Sequence, residues 1–214
     1  MLLTDGPAWG TLAGMQTLGL SGETRRSDGM LKSLFWPTVD NAWDVDYLGR
    51  QGLTICTAVA AIQLVVALLA GNAIYLIFGV ASAIIFLMGG LGVRERSWPA
   101  AAMVFSLYVA GILSALAKGV FPGPLSLIVA AVLLSNLRAS VLAAMWKPAG
   151  EGEDKPTRFD ESLMDLLTDQ LPAKAWPVLR YLFYGGAAIY LVLILAGLVA
   201  LSLARLGLFK MTQP

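Results

Sequence analysis

The chain has 214 residues, 57% hydrophobic and 14% charged, with a mean hydropathy of +0.73 and a formal net charge of +1. Soluble domains carry about 25% charged residues, so an apolar surplus this large exceeds what a soluble core can bury and points to bilayer as the solvent for much of the chain. The near-neutral charge gives no global attraction to nucleic acid or anionic lipid, so any electrostatics is local; with no His and a single Cys, Cys56, intrachain disulfides, Cys/His zinc sites, His-ligated haem and Ser-His or Cys-His catalytic pairs are excluded.

Residues 1–32 read as a flexible N-terminal segment. Met1 to Leu20 has no basic residue, carries Asp5 and is broken by Gly6, Pro7, Gly10, Gly14 and Gly19, unlike a secretory signal. Residues 33–52 form an interfacial amphipathic segment: Phe35, Val39, Trp43 and Tyr47 fall four apart, Pro37 suits a helix start, and Asp40, Asp44 and Asp46 lie between. Its rings, Trp36 and Trp43 among them, are placed at headgroup depth or against a partner.

Five stretches are then long and apolar enough to cross a bilayer, for which about 20 residues are needed. Residues 53–146 hold four of them as a bundle: Leu53 to Ala70, Ala73 to about Val93, Trp98 to Ala117, and Leu125 to Trp146. Gly71-Asn72, Arg94-Glu95-Arg96 and Pro122-Gly123-Pro124 separate them. Cys56 is expected to be a small buried apolar residue. Residues 147–177 are a linker followed by an acidic helix, in which Phe159, Leu163, Leu166, Leu167 and Leu171 recur at helical spacing opposite Asp160, Glu161, Asp165 and Asp169. Thr157 is its expected N-cap and Leu171-Pro172 its expected stop. Because surface helices on membranes are typically basic, Asp165 and Asp169 are candidate contacts to protein. The fifth span is 178–204, and 205–214 a short tail.

Lys and Arg set the topology. With Arg138 set aside, the side of the N-terminus holds eleven, in Arg25 to Arg50, Arg94 with Arg96, and Lys147 to Arg180; the other side holds three, Lys118, Arg205 and Lys210. The positive-inside rule then gives a cytoplasmic N-terminus and an outward C-terminus. Small residues recur every four positions in the third span (Ala102, Ser106, Ala110, Ser114), the fourth (Ala131, Ser135, Ala139, Ala143) and the fifth (Ala196, Ala200, Ala204), which predicts close helix packing.

Arg138 stands near the middle of the fourth apolar run, and an ionisable residue there is by default a functional site. No Asp or Glu occurs in any of the five spans, which weakens proton-relay and ion-coupled transport. If the embedded part begins at Phe121, it ends near Arg138, which then meets lipid phosphate or the acidic face around Asp160 to Asp169; a bond to carbonyls of neighbouring spans and contact with an anionic substrate are the alternatives. Asn136 and Gln63 read as interhelical hydrogen-bond groups.

The segment Phe35-Trp36-Pro37-x-x-Asp40-x-x-Trp43, together with Arg138-Ala139-Ser140 at the end of the fourth span, resembles a membrane module that precedes the catalytic domain in some bacterial type I signal peptidases, over roughly residues 33 to 146. That resemblance implies a peptidase domain after an outward fifth span. The family's Ser-x-Met-type motif and its Lys are not found before Pro214, so no peptidase activity is expected of this chain. The expectation is an all-α, five-span protein of a bacterial inner membrane, without cofactor, metal or catalysis of its own. It contacts membrane lipid and serves as an accessory, scaffold or assembly subunit for a protein partner. A small transporter or lipid-handling protein using Arg138, and a module related to signal peptidase, are the alternatives.

Overall fold

The computed structural model describes residues 32, 36, 38–39, 42–145 and 166–206, in two units, Met1–Thr38 and Val39–Pro214. The expectations for the rest of the N-terminal segment, for the linker with its Thr157 cap, and for the tail beyond Leu206 lie outside the described residues. Within the first unit, the Trp36 N–H donates to the Lys32 carbonyl at 2.9 Å and Lys32 Nζ to Thr38 Oγ1 at 3.3 Å.

The second unit is helical, with no strand among the described residues: α1 (Ala42–Leu69), α2 (Ala73–Arg94), α3 (Trp98–Ala117), α4 (Pro124–Met145), a π-helical turn (Leu166–Gln170) and α5 (Leu171–Arg205). All five α-helices are long and apolar enough to cross a membrane. They alternate in direction, so the start of α1, the end of α2, the start of α3, the end of α4 and the start of α5 share one end, where most of the charge collects.

No separate interfacial helix precedes the first span in the described residues. From Ala42 onward the helix is continuous, although Gly49 and Gly52 each weaken a helix by about 1 kcal/mol relative to Ala. Both glycines are contact points: a Cβ on Gly49 would lie 3.4 Å from Arg94, and one on Gly52 only 2.4 Å from Val93 Cγ1. At the far end Gly71 adopts φ 63°, open to glycine at no steric cost, and the Asn72 carboxamide caps α2 by accepting from the Ile74 N–H at 2.8 Å.

Helix α2 is the centre of the bundle because it lacks side chains where its neighbours approach. A Cβ on Gly79 would meet Ala67 and one on Gly90 would meet Cys56, both on α1; on Gly89 it would meet Val104 of α3 and Phe183 of α5, and on Gly92 Trp176 of α5 and Ala100 of α3. The core follows from these approaches: Cys56, Phe86, Val104, Leu107, Leu133, Phe183 and Ala187. Helix α4 packs against α1 and α3. Of the small-residue stripes, that of α4 is packed, with Ser135 and Ala139 buried. On α3 only Ala110 is fully buried and Ser106 is exposed, while on α5 Ala196 and Ala200 are exposed. Close approach is thus carried mainly by glycine on α2 rather than by alanine on α3 and α5.

Leu171-Pro172 does not stop a helix. Pro172 occupies the first turn of α5, where its missing N–H would have had no partner, and α5 continues through Pro177 at the loss of one internal hydrogen bond. The amphipathic pattern is also inverted in its described part: Leu166, Leu167 and Leu171 are exposed, whereas Asp169 is buried. The reason lies in what Asp169 meets.

Candidate functional site: a buried ion cluster at one end of the bundle

Arg94 closes α2 and is completely buried, as is the side chain of Asp169 in the π-helical turn. An unpaired charge in such a place costs several kcal/mol, so the surroundings must satisfy it, and they do so fully. Arg94 Nη1 donates to Asp46 Oδ1 at 2.8 Å and to the Asp46 carbonyl at 3.2 Å, and Nη2 donates to Asp46 Oδ2 at 3.1 Å and to Asp169 Oδ1. Nε donates to the Thr168 carbonyl at 2.9 Å and to Asp169 Oδ1 at 3.1 Å. Every N–H of the guanidinium is therefore engaged by protein, and the fork onto Asp46 is bidentate, the strong geometry for this pair.

Two further arginines complete the cluster. Arg50, one turn beyond Asp46 on α1, donates from Nη2 to Asp169 Oδ2 at 2.5 Å, and Arg96 Nη2 reaches Asp46 Oδ1 at 3.3 Å. Three guanidinium groups and two carboxylates leave a net charge of +1. Arg96 is held in the left-handed region, φ 59°. Its N–H donates to the Val93 carbonyl and that of Ser97 to the Gly92 carbonyl, both at 3.0 Å, the Schellman pattern that ends a helix. The same pattern ends α3, there with Gly119 at the left-handed position (φ 82°). An arginine at the equivalent place costs about 1–2 kcal/mol in backbone energy, which makes it notable that Arg96 also carries an ion pair.

The cluster ties three elements distant in sequence, α1, α2 and the turn leading into α5. Beside it, Ser97 Oγ and the Tyr184 hydroxyl are 2.9 Å apart, and Trp176, Phe183 and Tyr184 stack against each other at 5.2–5.9 Å. With Arg94 saturated and both carboxylates shared between arginines, the arrangement fastens helices; its guanidinium has no N–H left for a ligand.

The residues singled out in the sequence scatter around this centre. Asp169 is inside it, as a buried counter-ion rather than a surface contact. Asn136 is buried on α4: its Nδ2 donates to the Val132 carbonyl at 3.0 Å, while Oδ1 has no hydrogen-bond partner and faces Gly52, where a Cβ would lie 3.2 Å away. Gly52, Val93 and Asn136 thus form one layer. Arg138, two residues further along α4, lies about 3 Å nearer the charged end, level with Arg94 and half-buried. Phe121 precedes α4, which begins at Pro124. Gln63 is half-buried on α1, Trp36 is half exposed, Trp43 falls in the first turn of α1, and Asp165 lies outside the described residues.

Sequence reasoning used Arg94 only as a topology marker and Asp46 only as a polar position. The available signal was the topology itself, which puts Asp46, Arg94 and Asp169 at the same end of the chain's spans. Among the described residues no group of His, Cys, Asp and Glu is arranged to hold a metal ion. Comparison with protein-family models, curated proteins and solved structures finds no match.

Proposed function

We propose that the chain is an integral membrane protein with five spans and no catalysis of its own, acting as an accessory or assembly subunit that docks a transmembrane helix of a partner protein against α5. The exposure of α5 carries this reading. In its most apolar stretch 6% of the residues are buried within the chain, against 28–50% in the other four helices. The ion cluster and the Trp176–Phe183–Tyr184 group hold α5 at its inner third, and beyond Ala187 it stands largely free.

The outward face of α5 combines Gly185, just before that free part, with Ala188, Val192, Ala196 and Val199 in it, all exposed and falling along one stripe at helical spacing. A Cβ on Gly185 would meet nothing, whereas the glycines at 79, 89, 90 and 92 of α2 each receive a neighbouring side chain. Helices in lipid associate through such small-residue surfaces, because lipid tails give no hydrophobic drive for association. Saturation of Arg94 supports the non-catalytic part of the reading, and the 11-to-3 distribution of Lys and Arg supports a cytoplasmic charged end.

The test is photo-crosslinking in native membranes. A photoreactive side chain at Val192 or Val199 should yield a discrete adduct with a second protein that the same group at Ile62 on α1 does not yield. Ala196→Trp should abolish the adduct. Adducts with lipid alone from all three positions would defeat the proposal.

A further inference from the structure

Between the outer halves of α3 and α5 lies an open groove of about 650 Å³, lined on α3 by Gly111, Ser114 and Lys118 and on α5 by Tyr190, Gly197 and Ala204 among others. Its origin can be traced from the Ser97–Tyr184 contact, which brings the two helices together at the inner end. From there Gly111 is 14 residues along α3, and Gly197 is 13 along α5. Both are therefore about 20 Å away along their helices, and they face each other across the gap. A Cβ on either would meet nothing within 4 Å. Nearer the inner end, Val104, Leu107, Phe183 and Ala187 close the same seam.

Three properties restrict what fills the groove. Its length, from Tyr190 to Ala204, is about 21 Å. That is short of the roughly 30 Å of hydrocarbon that a spanning helix must cross, and the inner end is sealed. Its volume falls within the range of about 300–1,000 Å³ typical of small-ligand sites. Its lining is mostly apolar, broken by the Tyr190 and Ser114 hydroxyls, and carries a charge only at the outer mouth, where Lys118 caps α3 and has no carboxylate partner among the described residues. A chain-like apolar body with an anion at one end matches all three.

We infer that this groove binds one acyl chain of an anionic phospholipid from the outer leaflet, with the lipid phosphate on Lys118 and the chain running inward past Gly111 and Gly197. The inference rests on the membrane part of the proposed function but not on the partner, since the stripe at Val192 and Val199 lies on the opposite side of α5. A single cation near the membrane surface contributes about fivefold to anionic lipid binding.

The test uses the full chain reconstituted in nanodiscs of phosphatidylcholine with one part in five phosphatidylglycerol, then released into mild detergent and weighed with its bound lipid by native mass spectrometry. The wild type should retain one lipid, with the ratio of bound phosphatidylglycerol to phosphatidylcholine raised about fivefold over that of the nanodisc, to about five to four. Lys118→Gln should retain one lipid without enrichment, and Gly197→Leu or Gly111→Leu should retain none. Both leucine variants should unfold at or slightly above the wild-type temperature in lipid-free detergent, because the space they fill is empty and leucine favours helix over glycine. Equal retention of both lipids by the wild type, or unchanged enrichment in Lys118→Gln, overturns the inference while leaving the membrane reading standing. Extraction of the chain from vesicles by alkaline carbonate overturns both.

Discussion

Replacing Asp169 by Asn keeps the shape of the side chain and removes one of the two negative charges in the cluster. Asp169 is fully buried and accepts from Arg94 and Arg50, so the neutral amide leaves three guanidinium groups facing one carboxylate and raises the cluster from +1 to +2. An amide also presents two N–H donors and one acceptor oxygen, so an N–H must point at an arginine or the bonds to Arg50 or Arg94 must be lost. Breaking a buried pair by removing one partner costs about 3–5 kcal/mol, and the charge here is shared among three arginines, so the lower half of that range is expected. The comparison variant is Arg96→Gln: Arg96 makes one contact at 3.3 Å and is one-third exposed, and pairs of that kind contribute about 0–1 kcal/mol.

Reversible unfolding in mixed micelles, with helicity followed against the mole fraction of a denaturing detergent, reads both variants on one scale. Asp169→Asn should lose at least about 2 kcal/mol more than Arg96→Gln. A double variant, Arg94→Met with Asp169→Leu, should be more stable than Asp169→Leu alone, because replacing both members of a buried pair by apolar groups avoids the stranded guanidinium. If Asp169→Asn costs no more than Arg96→Gln, or if the double variant loses the sum of the singles, the cluster is not the fastening of α5 to α1 and α2.

Three further outcomes follow from the same geometry. Gly92→Ala should lower the unfolding temperature, since its Cβ would stand 2.6 Å from that of Ala100 and 2.5 Å from Trp176, whereas Gly197→Ala, which meets nothing, should raise it through a helix-propensity gain of up to about 1 kcal/mol. Ala139→Leu should destabilise by about 1–3 kcal/mol, the usual cost of overpacking a tight core, as Ala139 is buried on the α4 stripe; unchanged unfolding would contradict that packing. Arg96→Gly should be near neutral or slightly stabilising in the same titration, because it removes a left-handed arginine costing about 1–2 kcal/mol and a single long contact, 3.3 Å, from a partly exposed guanidinium, contributing about 1 kcal/mol; a loss above 2 kcal/mol would mean that its guanidinium matters more than its backbone.

Helix number and approximate bounds were legible because apolar runs of about 20 residues are long enough to leave no competing period. Packing was less so. Searching for alanine and serine at intervals of four finds the α4 stripe but misses α2, where the small residues are glycines at 79, 89, 90 and 92, split between two faces that meet different neighbours. The inverted pattern at Leu166 to Leu171 has a different cause. Periodicity sorts residues by polarity on the premise that the polar face meets water, and Asp169 instead meets two arginines from helices more than 70 positions earlier in the chain.

Arg138 and Arg94 make the general point together. Arg94 ends an apolar run on the charged side, whereas Arg138 stands within one, with apolar residues continuing for two turns beyond it. In the folded chain Asn136 lies beside Gly52 and Val93, so Arg138 shares the level of Arg94, and depth along the bundle no longer distinguishes the two. Topology supplies Arg94 with its company. Arg94 follows a helix whose glycines let α1 and α5 come close enough to deliver Asp46 and Asp169, so its charge is absorbed into the structure. A carboxylate that seems to belong to a surface helix can therefore be the piece that allows an arginine to end an apolar helix in a fully buried position, and such pairs are found by asking which acids the topology returns to the same end as each arginine.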